Sequence, residues 1–433
     1  MTKKLLAAFA LFSLFFGAGN LILPPYLGVQ AGTDWALVAF GFVISAVLIP
    51  ILGIFAHAKL QGTIYDFGAP LGKWFSFVYA ALIYGIALAL PAPRTASVTH
   101  EMAVMPFTDT PYWGTSLLYF SLVFFVAVNR SKILDFFGKI TTPLILGVLL
   151  FLIAMAVFSP ALTLAPTQIP NPFGAGLLEG YQTFDAIAAV VIGGVLLVSI
   201  KKVSADEENY LEQKKTVRFA AFFSAAALAL IYIGLIYAGA QSQATFFQGS
   251  SRTEILQGVA QLFLGPGGPI GLSVLVALAC FTTAVGIVTG TADYVASFFE
   301  GADPTKTSAP AKKAFVITAL IGALLGVVMG QLPVNKIIAI AVPALVFIYP
   351  ITIILMALHV LPKSWGSPAI FKAAVAVCFL ANTPSFLDSL GFSSLQEATI
   401  FMPFSAQGLA WMLPVLLAVL VTKFTSIKRQ FPL

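Results

Sequence analysis

The sequence predicts an all-helical polytopic membrane protein with twelve transmembrane helices. Of its 433 residues, 59% are hydrophobic and only 9% are charged, whereas soluble globular domains contain about 25% charged residues. The hydrophobic residues lie in long runs without the alternation of polar and apolar positions that barrel strands require. Composition therefore excludes a soluble enzyme, a disordered protein and a nucleic-acid-binding domain, and nucleic acid is not an expected partner.

Twelve apolar runs account for the predicted helices. A helix needs about 20 mainly apolar residues to cross a lipid bilayer. The runs cover residues 5–29, 35–56, 74–104, 115–128, 139–158, 176–200, 217–239, 270–299, 314–331, 337–360, 367–387 and 405–422. The first run is not expected to be a secretory signal, because Gly19-Asn20 and Pro24-Pro25 interrupt it where a signal would end in a small-residue cleavage site.

The distribution of positive charge predicts the orientation in the membrane. The chain contains 23 Lys and Arg residues. With a cytoplasmic N-terminus, all of them except Arg94, Arg252 and Lys336 fall in cytoplasmic segments or at the cytoplasmic ends of helices. Cytoplasmic loops of membrane proteins are enriched in Lys and Arg. The sequence therefore predicts a multi-pass protein with both termini in the cytoplasm.

The first predicted helix contains a break near its middle. Residues 16–20 read Phe-Gly-Ala-Gly-Asn, and two prolines follow at 24–25. Glycine tolerates non-helical backbone and proline lacks the N–H donor, so a helix can unwind here. Unwound backbone in a membrane persists only where it lines a cavity, and the half-helix that follows points its positive end at the gap, where it can bind a carboxylate. A packing face of small residues is the alternative interpretation.

The sixth predicted helix carries an acidic residue deep in an apolar run. Asp185 lies well inside the run 176–200, and Gly180 and Thr183 nearby permit a second break. An Asp at the centre of a membrane helix costs about 2.5 to 3.5 kcal/mol on the insertion scale, and such residues usually line a pathway or have a partner. A structural carboxylate that accepts backbone or hydroxyl hydrogen bonds is the alternative.

The eighth predicted helix has two adjacent hydroxyls, Thr282 and Thr283, near the middle of the run 270–299. Two neighbouring hydroxyls can supply oxygen ligands to a hard cation. Threonine hydroxyls in membrane helices also bond back to the carbonyl of the preceding turn, which is the structural alternative. Because all three features lie near the middle of their helices, we expect them at the same depth in the membrane.

The order of the helices predicts an internal symmetry. Predicted helices 1 and 6 are five helices apart and therefore run in opposite directions. An inverted repeat of five plus five helices predicts this arrangement, with a discontinuous helix opening each half and the site near the midplane. The predicted divisions are 1–165 for the first five-helix repeat, 166–365 for the second, inverted repeat, and 366–433 for two peripheral helices and a cytoplasmic tail.

The same motifs resemble those of a known family. Residues 9–25 (FALFSLFFGAGNLILPP) closely resemble the opening signature of the bacterial branched-chain amino acid carriers, the BrnQ or LIVCS family. Residues 93–96, 180–186 and 281–284 resemble later segments of this family, in the family's order. The resemblance implies a LeuT-type fold and a sodium-coupled symporter that imports leucine, isoleucine and valine through the bacterial cytoplasmic (inner) membrane.

The resemblance also implies which residues bind. It places the substrate carboxylate at backbone N–H groups in the helix 1 break and the substrate ammonium at carbonyls in the helix 6 break. The implied substrate-binding residues are Gly17, Ala18, Gly19, Asn20, Thr183, Phe184 and Asp185. The implied sodium ligands, from helices 1 and 8, are Ser13, Phe16, Ala279, Thr282 and Thr283. A role for Asp185 as a coupling carboxylate stays open.

Several alternatives concern the coupling ion, the substrate and the energy source. The resemblance to the wider fold leaves two coupling ions open, because some proton-coupled relatives place a Lys ammonium in the cation site. Predicted helix 5 has no interior Lys, which favours sodium over a proton. Another small zwitterion is the alternative substrate on the same fold. No ATPase subunit is expected, since the nearest match to a phosphate loop, residues 68–74, has the wrong glycine spacing. Three scattered histidines and the lack of HExxH or GxSxG motifs predict that the protein is not an enzyme.

Two charged residues lie at the far end of the third predicted helix. At 1.5 Å rise per residue, the distance from Trp74 places Arg94 roughly 30 Å along the helix, near the outer surface. We expect an interfacial ion pair between Arg94 and Glu101, with an outer gate as the alternative.

Overall fold

The computed structural model describes residues 3–60, 63–129, 133–160, 164–191, 207–246, 249–299, 308–392 and 402–430. Within these ranges the regular structure is helical and no strand occurs. In chain order the helices are α1 (Lys3–Phe15), α2 (Ala18–Ala31), α3 (Trp35–Val43), α4 (Ile49–Leu60), α5 (Ile64–Gly68), α6 (Lys73–Ala89), α7 (Pro91–Thr99), α8 (Tyr112–Asn129), α9 (Ile133–Phe158), α10 (Pro172–Tyr181), α11 (Glu207–Gln241), α12 (Arg252–Leu264), α13 (Gly268–Ser297), α14 (Ala309–Met329), α15 (Val334–Val360), α16 (Pro368–Ser389) and α17 (Met412–Gln430). A helical segment also covers 185–191.

Eight segments of the described chain are long and apolar enough to cross a membrane. They are Ala18–Leu60, Lys73–Val104, Tyr112–Asn129, Arg218–Gln241, Gly268–Ser297, Ala309–Met329, Val334–Val360 and Pro368–Ser389. Thr142–Phe158 and Met412–Thr425 are shorter apolar helices. Helices suit this setting because they pair their own backbone N–H and C=O groups, which lipid cannot do. The all-helical, multi-pass character that the composition predicts is thus confirmed, and the count of twelve spans stays a prediction.

The first predicted run is two helices, α1 and α2, and the break lies at Phe16 and Gly17. Pro24 and Pro25 lie inside α2 and not in the break. The two prolines cannot donate hydrogen bonds, so they leave the carbonyls four residues earlier without helical donors, but the helix continues through them. The unwound part is therefore shorter than the sequence indicates.

The described chain groups into two compact units. The first consists of Met1–Ala39, Tyr84–Pro170 and Lys215–Ala339, and the second of Phe40–Ile83, Asn171–Lys214 and Ile340–Leu433. The predicted division into 1–165, 166–365 and 366–433 describes repeat symmetry and not packing, and it stays a prediction.

A close-packed cluster of small and aromatic side chains joins α7, α8, α13 and α14 in the first unit. It includes Ala96, Phe120, Val285 and Ala319. Gly326 of α14 faces the ring of Phe120, and a Cβ at this glycine would lie 2.3 Å from the ring. In lipid, close packing and not exclusion from water drives helix association, so small residues set how near two helices come.

The half-helix α2 packs backbone to backbone on α11, also within the first unit. A Cβ at Gly28 would lie 1.9 Å from the carbonyl oxygen of Ile236, and a Cβ at Gly239 would lie 2.1 Å from the carbonyl oxygen of Pro25. No residue with a side chain fits at either position without a shift of the backbone. This contact holds the second half of α2 against α11.

Replacement of Gly28 by Ala should lower the stability of the protein. The new Cβ has no space between the two helices, and such overpacking costs about 1 to 3 kcal/mol. The thermal unfolding midpoint of the detergent-purified protein measures the effect. Gly147→Ala in α9 is the matched control, because no heavy atom lies within 4 Å of its Cβ position and alanine favours a helix. Equal midpoints for the two variants would contradict the close approach of α2 and α11.

Candidate functional site

The break between α1 and α2 is short and buried. The N–H of Phe16 still donates to the carbonyl of Phe12 at 2.8 Å, as the last bond of the first half-helix. Gly17 then adopts an extended backbone, with φ −121° and ψ −167°, and α2 begins at Ala18. The chain therefore leaves and re-enters helical geometry within two residues.

The side chain of Asn20 stabilises this break. Its Oδ1 accepts a hydrogen bond from the N–H of Gly17 at 2.9 Å, and its amide donates to the hydroxyl of Tyr232 in α11. Asn20 is 1% exposed and Tyr232 is fully buried. The side chain of Asn20 thus caps α2, and the expectation of a substrate contact at Asn20 concerns its backbone N–H. Sequence reasoning missed Tyr232, because a tyrosine inside an apolar run carries no signal of its distant partner.

The first turn of α2 can bind an anion. Ala18, Gly19 and Asn20 are its first three residues, and the N–H groups at the start of a helix have no partner within it. The positive end of the helix dipole lies at the same place. All three residues are buried, so a carboxylate here would meet these N–H groups away from bulk water.

The two threonine hydroxyls of α13 both bond to their own helix. Thr282 Oγ1 and Thr283 Oγ1 donate to the carbonyl of Ala279 at 2.9 and 3.0 Å. A hydroxyl that has used its hydrogen keeps lone pairs on oxygen for another partner. The structural alternative and the cation-ligand hypothesis are therefore compatible: the helix orients the hydroxyls, and their oxygens stay available.

The structure brings the helix 1 break and this threonine pair together. Thr283 Oγ1 and Cγ2 each lie 3.3 Å from the position that a Cβ on Gly17 would occupy. A larger residue at position 17 would press on Thr283, and this contact accounts for the glycine, because any residue can adopt its extended backbone. Phe16 is buried and Ser13, one turn earlier on α1, is half-buried. Oxygen atoms of α1, the break and α13 thus belong to one region of the first unit.

The sixth predicted helix is also broken, and this break lies in the second unit. α10 ends at Tyr181 and helix resumes at 185. Thr183 Oγ1 donates to the carbonyl of Gly180 at 2.8 Å and accepts from the N–H of Asp185 at 3.3 Å. One threonine side chain therefore satisfies backbone groups on both sides of the break.

Phe184 occupies an unusual backbone conformation at this break. Its φ is 63°, in the left-handed region, which is rare for an aromatic residue and costs energy. Its carbonyl accepts from the N–H of Ala188 at 2.9 Å and so starts the second half-helix. Asp185, 2% exposed, is in the first turn of that half-helix, where the helix dipole favours a negative charge. A strained backbone beside a buried carboxylate is typical of functional sites.

Glycine is required just before the helix 6 break. A Cβ at Gly180 would lie 1.9 Å from the hydroxyl oxygen of Ser45, which belongs to a π-helical turn over Ile44–Leu48. Such turns occur frequently at functional sites. The sequence analysis used Gly180 as a helix breaker, whereas the structure shows that it also allows α10 to approach this turn.

The predicted site residues are divided between the two units. The first unit contains Ser13, Phe16, Gly17, Ala18, Gly19, Asn20, Ala279, Thr282 and Thr283. The second unit contains Thr183, Phe184 and Asp185. Within the first unit, Gly17 of the helix 1 break and Thr283 of α13 are neighbours, and the equal depth of all three features stays a prediction.

Arg94 does not lie at the interface where the sequence analysis placed it. Arg94 is 2% exposed, so its guanidinium is buried and not at a wetted interface. Glu101 accepts hydrogen bonds from Tyr112, Thr253 and the N–H of Val334. The burial of Arg94 could not be inferred from helix length, because rise per residue gives depth along an axis and not the packing around it.

Comparison with known proteins identifies the family. The chain matches a family model described as "Branched-chain amino acid transport protein" over residues 1–429. It is 31% identical to the "Branched-chain amino acid transport system 2 carrier protein" of Pseudomonas aeruginosa, over 95% of this chain and 93% of that protein. It is 30% identical to the "Branched-chain amino acid permease BrnQ" of Escherichia coli K12, over the same shares of the two chains.

Solved structures share the fold. A sodium-coupled sialic acid symporter in a substrate-bound outward-open state aligns with a TM-score of 0.60 at 13% identity, covering 98% of this chain and 90% of that chain. MhsT in complex with L-phenylalanine aligns with a TM-score of 0.54 at 16% identity, covering 98% of each chain. At these identities the likeness shows the LeuT-type transporter fold alone. The protein is a membrane transporter and not an enzyme, and the chain belongs to the branched-chain amino acid transport protein family.

Proposed function

We propose that this protein is a secondary active symporter that imports leucine, isoleucine and valine together with sodium, by alternating access. The single observation that carries the proposal is the juxtaposition of the helix 1 break with Thr283 of α13. It puts N–H groups suited to a carboxylate beside oxygens suited to a hard cation. A cation-coupled symporter of another small zwitterion is the alternative, because the same contacts would serve any α-amino acid.

The substrate contacts follow from the two broken helices. The N–H groups of Ala18, Gly19 and Asn20 would bind the substrate carboxylate, with Gly17 beside them. The carbonyls of Thr183 and Phe184 would bind the ammonium, together with Asp185. The carbonyl of Phe184 already accepts from Ala188, whereas among the described residues no hydrogen bond reaches the carbonyl of Thr183, which favours Thr183 as the stronger contact.

The coupling ion would be bound by oxygens alone. The proposed sodium ligands are Ser13, Phe16, Ala279, Thr282 and Thr283. Carbonyl and hydroxyl oxygens are ligands for hard cations, and one solved structure with this fold is that of a Na+-coupled sialic acid symporter. The carbonyl of Ala279 already accepts both threonine hydroxyls. The hydroxyl oxygens therefore have more lone pairs available for a cation than this carbonyl has.

The proposed architecture has twelve spans, a five-plus-five inverted repeat and both termini in the cytoplasm, in the bacterial cytoplasmic membrane. Two broken helices of opposite predicted direction support the repeat, since such helices typically open each half of an inverted repeat. The accumulation of Lys and Arg on one predicted side supports the orientation.

Competition in proteoliposomes tests the substrate. Backbone contacts to the carboxylate and ammonium are common to all α-amino acids, so an apolar pocket must select the side chain, and one methylene is worth only about 1 to 3 kcal/mol there. Unlabelled leucine, isoleucine and valine should displace labelled leucine within one to two orders of magnitude of each other. Lysine should not displace it, because its second charge would be buried unpaired. If lysine or glutamate competes as well as isoleucine, the branched-chain assignment is wrong.

Thr282→Ala and Thr283→Ala test the cation site. Each removes one oxygen ligand, and losing an interaction with a charged partner typically costs about 1.5 to 3 kcal/mol. The sodium concentration for half-maximal leucine uptake should therefore rise about tenfold or more in either variant. Thr291→Ala is the matched control, because Thr291 makes the same bond to its own helix, to the carbonyl of Ile287 at 2.9 Å, and lies about two turns beyond Thr283 on α13. Unchanged sodium dependence in both site variants, at normal protein abundance, would falsify the site.

Asp185→Asn tests the buried carboxylate. The amide keeps the size of the side chain but cannot balance a cation, so a substrate ammonium or coupling ion would lose its counter-charge. Concentrative uptake should be abolished while the protein still inserts in the membrane. Glu179→Gln, a half-buried carboxylate of α10, should keep wild-type uptake. Accumulation at the wild-type level by Asp185→Asn would mean that the carboxylate is structural.

A further inference from the structure

Arg94 places a buried positive charge inside a membrane-spanning segment of the first unit. It belongs to α7, within the apolar segment Lys73–Val104, and it is 2% exposed. Charged residues inside membrane helices are rare and usually mark the path of a substrate or an ion. α7 packs against both α13 and α2, which are the helices of the proposed cation and carboxylate sites.

Two contacts fix the register of this segment against α13. They are the hydrogen bond between the side chains of Thr99 and Cys280 and the stacking of the rings of Tyr84 and Tyr294, whose centroids are 4.2 Å apart. The residue numbers rise along one helix as they fall along the other, so the two run antiparallel. Arg94 lies between the two contacts and is therefore level with Ala284, about one turn beyond Cys280.

The side chain of Arg94 faces the part of α13 that adjoins the helix 1 break. Its charge acts on the thiol of Cys280, so the guanidinium is directed to the face of α13 that carries this cysteine. Residues three and four apart share one helix face, and Thr283 therefore lies on the same face. Thr283 Oγ1 is 3.3 Å from the Cβ position of Gly17. Arg94 and the break thus adjoin the same turn of α13.

A guanidinium in this place suits a carboxylate. Its planar fork of N–H donors matches the two oxygens of a carboxylate, and hydrogen bonds between charged partners are stronger than neutral ones. The N–H groups in the first turn of α2 would hold the carboxylate from one side, and Arg94 would hold it from the side of α7. A sodium ion at Thr282 and Thr283 would repel the guanidinium, and a carboxylate beside both would compensate the two charges.

We propose that Arg94 binds the carboxylate of the transported amino acid and makes the protein select free α-amino acids over their uncharged amides. The inference rests on the proposed function as an amino acid symporter and adds a charged side chain to the backbone contacts of α2. Backbone N–H groups also donate to a neutral carbonyl oxygen, so they discriminate weakly between an acid and its amide. The full positive charge of Arg94 supplies the stronger discrimination.

A structural role for Arg94 is the alternative. Pro91 and Pro93 lack N–H groups, so carbonyls one turn earlier have no helical donors, and a guanidinium has five N–H groups with which to reach acceptors. A role of this kind predicts that a substitution changes the binding of charged and uncharged ligands equally.

Binding of leucine and leucinamide to the detergent-purified protein tests the proposal. The two ligands share the ammonium group and the side chain and differ in the charge of the carboxyl group. The rise of the thermal unfolding midpoint with ligand concentration, in sodium buffer, gives each Kd without a need for transport. The parent should bind leucine far more tightly than leucinamide. In Arg94→Gln this preference should fall about tenfold or more, because only the carboxylate loses a charged partner.

Two further variants control for effects on folding and charge. Arg218→Gln removes an exposed arginine of α11 and should leave both Kd values unchanged. Arg94→Lys keeps the charge but loses the fork, and its preference for leucine should lie between those of the parent and Arg94→Gln. If Arg94→Gln does not fold, the comparison of Arg94→Lys with the parent carries the test.

Two results would overturn the role of Arg94. One is an unchanged preference for leucine over leucinamide in the Arg94 variants, whether or not both ligands bind more weakly, since this is the result that a structural role predicts. The other concerns inorganic anions and comes from titrations with gluconate in place of chloride, which should give the same Kd for leucine. A leucine affinity that requires chloride in the parent but not in Arg94→Gln would mean that the guanidinium binds an inorganic anion.

The same measurements separate this inference from the function on which it rests. If the parent binds another α-amino acid in place of leucine, and Arg94→Gln lowers its preference for that amino acid over the matching amide, the branched-chain assignment fails and the role of Arg94 stands. If leucine is transported but its preference over leucinamide is the same in parent and variants, the proposed function stands and the role of Arg94 is wrong. A parent that prefers no amino acid over its amide would also contradict the inference.

Discussion

The hydrogen bonds made by the side chain of Asn20 are the interaction on which the candidate site depends. Inside a membrane, each backbone group that leaves a helix needs another partner, because lipid offers none. At Gly17 that partner is Asn20 Oδ1, at 2.9 Å, and the amide of Asn20 is oriented by Tyr232. The break is therefore held by a side chain of its own segment and by α11, and the first turn of α2, whose N–H groups have no partner within the helix, follows it directly.

The break in the sixth predicted helix solves the same problem with a different residue. Thr183 donates to the carbonyl of Gly180 and accepts from the N–H of Asp185, so one short side chain serves both ends. The left-handed Phe184 carries a strain of about 1 to 3 kcal/mol, which persists only where the surroundings enforce it. In both breaks a polar side chain within one turn satisfies local backbone groups, and a buried helix N-terminus is the result.

Close contacts between helix backbones hold the broken first helix in position within the first unit. α2 is fixed, because Gly28 and Gly239 bring its backbone against that of α11. α12 is packed closely as well, since Leu256, Val259 and Ala260 are fully buried and a Cβ at Gly268 would lie 2.4 Å from the carbonyl oxygen of Ala260.

The sequence by itself determined the class of the protein, because runs of about 20 apolar residues with few charges are stable only in a bilayer. It also determined the position of both helix breaks, since Gly17 and the segment around Gly180 to Asp185 carry the local signals of glycine, threonine and a buried acid. These are properties of single helices, and a helix shows them wherever it is packed.

Tertiary structure decided which side chains contact one another across helices. Nothing in the sequence shows which partners the side chain of Asn20 has, and only the approach of α11 shows that they are the Gly17 N–H and Tyr232. The double proline reads as part of the break, but it lies inside α2. Arg94 reads as interfacial and is buried, and Glu101 bonds to residues far along the chain. Contacts between residues distant in sequence leave no periodicity or spacing signal, because they depend on how helices pack and not on the helix in which each residue lies.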